Sequence, residues 1–208
     1  MTSRYPEVTL NSDMRRMYMN MVPFKGLGLL TTSSVPISSR GVSVDRSDKP
    51  YDLIGQVLDS KNSPFGCDYW RGRFMACCAL FRGTLTPDKA TSYVTAVQEK
   101  HWSSFASTFT QGIQTTYVAH PPHGLKTSAS VVANTTAVRQ PLGNLLKTFR
   151  AMFKQRVLLH YYLGEGLEEA EFRTAEHRLS ALVTLYLKQH GKSKAHTGQD
   201  FGGSDEDD

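Results

Sequence analysis

The stretch Arg73 to Phe81, RFMACCALF, is a nearly unbroken apolar run set between Gly72 and Gly83. A run of this length without alternation fits a strand buried on both faces. Gly26 to Thr32 (GLGLLTT) reads as a short buried strand between turn residues, and Ile113 to Ala119 and Thr127 to Ala133 as two more. The turn HPPHG lies between those last two.

Helices are expected around these strands. Asn11 or Ser12 caps a first one carrying Met14, Met17 and Met21, and Pro23 ends it. Tyr51 to Leu58 puts Leu53, Ile54, Val57 and Leu58 on one side. Thr86-Pro87-Asp88 starts a helix that runs to about Lys100 and buries Ala90, Tyr93, Val94 and Val97. Near the end, a helix firm from Pro141 carries the stripe Leu145, Leu146, Phe149, Met152 and Phe153. The last helix, Leu167 to Gln189, turns Phe172, Leu179, Leu182, Val183 and Tyr186 inward. The sum is an α+β fold: a mixed sheet with flanking helices plus a C-terminal two-helix hairpin. The divisions are 1–136 for the sheet domain, 137–190 for the hairpin, and 191–208 for a polar tail expected to be disordered.

Composition narrows the function. The net charge is only +5 and the Lys and Arg are scattered, which argues against a nucleic-acid partner. No run approaches the roughly 18 apolar residues of a membrane span, and the first residues lack the pattern of a signal peptide. The three cysteines, Cys67, Cys77 and Cys78, are too few for a disulfide scaffold and read as buried thiols. His120 and His123 flank a diproline without further ligands, so a rigid turn is expected rather than a metal site. Gly26-Leu27-Gly28 meets neither nucleotide fingerprint. His160, beside Tyr161 and Tyr162, reads as a core histidine with a hydrogen bond. Gly164-Glu165-Gly166 reads as a turn between two helices.

The run FRAMFKQRVLLHYYLGEGLEEAEFRTAE (149–176) resembles the C-terminal helical region of tubulins. LNSDMRRMYMNMVPF (Leu10 to Phe24), ISSRG (Ile37 to Gly41), DSKN (Asp59 to Asn62), FRG (Phe81 to Gly83), PPHGLK (Pro121 to Lys126) and NTTAV (Asn134 to Val138) match in the same order. Leu10-Asn11, Asp13, DSKN and FRG lean toward the β-tubulin type. The resemblance implies that 1–136 is the tubulin intermediate domain, and that the protein is a structural subunit of a microtubule-like polymer. Its implied partners are α-tubulin-like subunits, the microtubule lattice, and motors and associated proteins. The implied setting is the cytoplasmic microtubule cytoskeleton, the centriole included. An alternative is a non-polymerising module that sequesters tubulin or docks at centrioles.

Tubulins bind GTP through a glycine-rich loop of the GGGTGSG kind, which this sequence lacks. GTP is therefore implied by the family but not expected to be held by this chain alone, which is expected to be inactive as a GTPase by itself. Asn11, Asp13 and Arg16 match the loop facing a neighbour's nucleotide. At the position of Arg16, α-tubulins carry an acid that helps water attack, and a cation cannot serve as that base. Ser39, Arg40, Gly41 and Arg46 lie in the segment matching the lateral-contact loop. Glu168, Glu169, Glu171, Arg173, Glu176 and His177 lie on the helix matching the outer partner-binding surface. Arg173, His177, Arg178 and Lys188 dilute the acidity usual there, as expected of a divergent member.

Overall fold

The computed structural model describes residues 13–37, 50–105 and 113–197, with side chains for all but 50–52 and 192–197. Helix α1 spans Met14–Met21, strand β1 Leu30–Val35, α2 Pro50–Val57, β2 Phe74–Gly83 and α3 Pro87–Lys100. Strands β3 (Gln114–Val118) and β4 (Thr127–Thr135) follow, then α4 (Arg139–Lys154), α5 (Leu159–Gly164) and α6 (Glu169–Thr197). The described strands form one mixed sheet in the order β1-β4-β2-β3. β4 runs antiparallel to β1 and β2, and β2 runs parallel to β3. The fold is α+β, as the sequence pattern implies.

β2 owes its central place to its composition. Cys77, Ala79 and Phe81 point into a core shared with α2, α3, Ala129, Val131 and Ala133. Leu80, alternate to these, serves the other face and meets Val118; Met75 joins that face across the register shift between Phe74 and Ala76 and meets Leu27 and Tyr186. All three cysteines are buried and unbridged. Burial pushes the Cys77 thiol far above the usual range and raises that of Cys67, so neither supplies a thiolate near neutrality. A void of about 10 Å³ beside Cys77 and Val57 has a wholly apolar lining, which gives a water nothing to bond to.

α3 is the crossover that the parallel β2–β3 pair requires. It begins at Pro87, a position that needs no intrahelical donor, and buries Ala90, Val94 and Val97. Tyr93 stays half-buried, and Thr86 makes no side-chain cap. The HPPHG segment links β3 to β4, which are not neighbours: β2 lies between them. It therefore carries the chain across the end of β2 rather than closing a hairpin.

Several boundaries differ from the sequence expectation, each for a local reason. Asn11 and Ser12 lie outside the described residues; the residue at the N-cap of α1 is Asp13, whose side chain makes no cap bond. β1 begins at Leu30 instead of Gly26. The preceding backbone is satisfied by side chains: Asn134 Nδ2 donates to the carbonyls of Met21 (2.9 Å) and Leu27 (2.8 Å), and Leu29 N donates to Tyr186 Oη (3.2 Å). β1 then runs to Val35, into the segment expected to be loop, because Ser33 Oγ donates to Val57 O and Thr31 Oγ1 to Ala133 O (3.0 Å). α4 begins at Arg139 rather than Pro141, since a proline in the first turn forfeits no intrahelical bond. α6 continues past Gln189 to Thr197, so the start of the expected disordered tail is helical. Lys192, Lys194 and Ala195 are good helix formers, and the lysines suit a helix C-terminus.

The hairpin is joined to the sheet at one tight crossing. Arg73 N donates to Thr136 Oγ1 (2.9 Å), and Arg73 O accepts from Thr136 N (2.9 Å) and Thr135 Oγ1 (3.2 Å). Thr136 Oγ1 also meets His190 Nδ1 of α6 at 3.2 Å. The crossing is possible because residue 72 is glycine: a Cβ there would lie 2.4 Å from Ala137 N. Gly72→Ala is expected to cost about 2 kcal/mol or more in urea unfolding. Gly143→Ala, where a Cβ meets nothing within 4 Å, should gain up to about 1 kcal/mol by helix propensity.

Candidate assembly surface

α4 and α6 lie antiparallel, joined by the short α5. Their seam is aromatic. Phe172 of α6 stacks on Phe149 (6.5 Å) and Phe153 (5.9 Å) of α4 and takes an edge-on contact from Tyr162 of α5 (5.6 Å). Leu146 is buried, and Phe149 and Phe153 are half-buried. Leu145 (57% exposed) and Met152 (44%) are not part of the inward stripe, which corrects the sequence expectation. They sit one helical step to the side, where the described chain leaves much of each side chain open. The turn from α4 into α5 places Arg156 (φ 52°) and Leu158 (φ 57°) in the left-handed region, at about 1–2 kcal/mol per residue. At the other end of the elbow, Gly166 takes φ 93° without that cost and Gly164 closes α5, which is the helix-to-helix turn expected there.

The outer-helix residues divide by what they touch. Glu171 Oε2 accepts from Glu168 N (3.2 Å), a cap at the start of α6. Glu169 pairs with Arg173 at 2.9 Å, one turn on. The hydrogen bond from Arg173, with the field of Arg173 and Arg156, holds the Glu169 carboxyl below its usual range. Glu176 turns toward α4 and meets Arg150 Nε at 2.7 Å, so it braces the hairpin. His177 is exposed. His160 is not a core residue: it is exposed and lies over Tyr161 with ring centroids 4.1 Å apart. The elbow places it on the outer side, opposite the buried Leu159.

On α1, Asp13 and Arg16 are both exposed. Asn11, Ser39, Arg40, Gly41 and Arg46 lie outside the described residues. Among the described residues, no group of three His, Cys, Asp or Glu could hold a metal ion, and no helix is long and apolar enough to cross a membrane.

Sequence reasoning left exposed apolar surface at Met14 legible but did not single out the other outward apolar side chains. Met14 (70% exposed), Tyr18 (52%) and Met19 (75%) project from α1 while Met21 anchors it. Val157, Leu158, Tyr161, Tyr162 and Leu163 are likewise exposed around the elbow. Most of these residues fall off the helical stripes that bury their neighbours, whereas Met14 shares the face of Met21 and is exposed at the first turn of α1.

The fold and these surfaces define a sheet domain with an outer helical hairpin and apolar contact patches. Residues 27–147 match the family model of the tubulin C-terminal domain. The chain is also 34% identical, over 191 residues, to the tubulin beta chain of Aspergillus fumigatus, covering 92% of this chain and 42% of that one. The chain belongs to the tubulin family, and it spans less than half the length of that relative.

Tyr186 ties α6 to the start of β1. Its ring is fully buried, and burial raises its phenol pKa, partly offset by the hydrogen bond from Leu29 N. A raised folded-state pKa contributes stability that is present below the unfolded value, about pH 10, and is lost as pH rises through the folded value. Tyr186→Phe is expected to cost about 1 kcal/mol near neutral pH. It should also give a shallower alkaline loss of stability, read by urea unfolding at several pH values between about 8 and 11.

Proposed function

We propose that this chain acts as a structural subunit of a tubulin-like polymer, contributing contact surfaces while GTP is held by a nucleotide-binding domain outside these residues. The observation that carries the reading is the outward apolar face of α1. Methionine and tyrosine side chains more than half exposed are costly to keep in water unless a neighbour covers them. Longitudinal contact runs through Leu10 to Phe24, lateral contact through Ser33 to Pro50, and the hairpin faces motors and associated proteins. The partners are α-tubulin-like subunits and the microtubule lattice, in the cytoplasm and at centrioles.

Asp13 and Arg16 are exposed at the start of α1, as a loop facing a neighbour's nucleotide must be. With Arg16 in place of a carboxylate, this surface covers a neighbour's GTP without activating water. Arg16→Glu is expected to raise GTP turnover in co-assembled filaments by about tenfold or more. An unchanged rate counts against the role of Arg16.

A second reading, a module that sequesters tubulin without polymerising, is favoured by the cations on α6. Arg173 and Arg178 are exposed where ordinary members of the family are acidic. Arg40 and Arg46 separate the two. Reversing both to Glu should cut co-pelleting with tubulin polymer about fivefold if Ser33 to Pro50 is a lateral contact. A sequestering module would keep its binding to soluble tubulin and show no such loss.

A further inference from the structure

α4 carries no Asp or Glu between Arg139 and Lys154. Arg139, Gly143, Lys147, Arg150 and Lys154 recur at three- and four-residue intervals, so they share one side of the helix. Arg150 is held by Glu176, and Arg139 reaches the carbonyl of Arg71 at 3.4 Å. Lys147 and Lys154 are exposed and make no ion pair among the described residues. Gly143 leaves open space between Arg139 and Lys147. The result is a lane of positive charge with a shallow floor.

We propose that the acidic segment Asp205-Glu206-Asp207-Asp208 of the same chain docks along this lane, from Arg139 to Lys147, and masks it from acidic partners. Charge complementarity is one argument: four consecutive carboxylates form the densest acidic run in the sequence. Reach is the other. The Arg150–Glu176 and Thr136–His190 contacts fix the antiparallel register of α6 on α4. At 1.5 Å per residue, Thr197 lies about 10 Å past the level of Thr136 and about 15 Å from that of Arg139. Seven residues separate Thr197 from Asp205, with Gly198, Gly202 and Gly203 among them. Eight residue-to-residue steps of trans backbone span at most about 26 Å, so a gap of about 15 Å lies within covalent reach. The four acidic residues, extended, cover about 10–13 Å, and Arg139 and Lys147 lie about 12 Å apart along the helix. The mask is electrostatic and lies at the surface, so salt weakens it.

The test is zero-length carbodiimide cross-linking of the full 208-residue chain, with peptide mass spectrometry of the monomer fraction. Isopeptide links from Asp205–Asp208 to Lys147 are expected at low salt, ahead of the exposed lysines Lys61, Lys89 and Lys100, and are expected to vanish in molar salt. Absent links, links spread over all lysines, or links confined to covalent dimers overturn the proposal. A second measurement uses the neutralised variant D205N/E206Q/D207N/D208N and a fluorescent deca-glutamate peptide. The variant should bind the peptide about fivefold more tightly than the unmodified chain at low salt. Lys147→Glu and Lys154→Glu together should abolish that gain. Equal binding by the neutralised and unmodified chains, or none by either, also overturns the mask.

Discussion

A strand that is apolar on both faces cannot rest at an edge or against water. β2 is such a strand, and the rest of the molecule is arranged to cover it. α2 and α3 close one face, while α1, Leu27 and Tyr186 serve the other. At about 25 cal/mol per Å² of apolar surface removed from water, a strand of this length supplies several kcal/mol from its own side chains. The crossover through α3 follows from the same demand, because β3 can run parallel to β2 only if a long connection returns the chain to the same end.

The two faces are covered in physically different ways. The α2–α3 face is dry, with aliphatic side chains packed on Ala129, Val131 and Ala133. The other face relies on polar anchors inside an apolar setting: Asn134 holds two carbonyls of the segment before β1, and Tyr186 receives an amide of the same segment. These anchors join residues more than a hundred positions apart, so they specify one arrangement of α6 on the sheet, whereas apolar packing tolerates several. The Arg73–Thr136 crossing adds a third fixed point. The hairpin thereby becomes a rigid outer layer on the sheet.

What the sequence made legible divides along that line. β2, α2, α3 and the inner face of α6 were readable because each has a local period and local end signals: Pro87 at the start of α3, and Phe172, Leu179 and Tyr186 at helical spacing. β1 was misplaced because its limits are set by Asn134, Tyr186 and Val57, distant in sequence and silent in any window around Leu30. The α4 stripe was drawn too wide because Leu145 and Met152 are as apolar as Leu146 and differ only in what faces them. On the candidate surface, the charged positions were legible as positions but not as roles. Nothing local says that Glu176 braces α4 while His177, the next residue, is free to face a partner.

That division between Glu176 and His177 bears on how the surface can bind. An exposed ion pair such as Arg150–Glu176 contributes about 0.5 kcal/mol and holds both side chains in one geometry. Each charge committed internally is also one fewer presented outward. Of the five charged side chains proposed for the outer helix, Glu169, Arg173 and Glu176 are already paired, and Glu171 is bonded to the backbone. The field that remains is weak and mixed, so long-range steering of a strongly charged partner is a small term here. On the proposed reading, affinity comes from desolvating apolar anchors, and the exposed apolar side chains of α1 and of the α5 elbow are those available. The left-handed residues at Arg156 and Leu158 fit that division: they cost stability, and they hold Tyr161 and Leu163 turned outward while Tyr162, half-exposed, keeps one edge on Phe172. Stability spent to keep aromatic side chains in water supports the proposed reading, in which this surface is covered by a neighbour through apolar contact more than through charge.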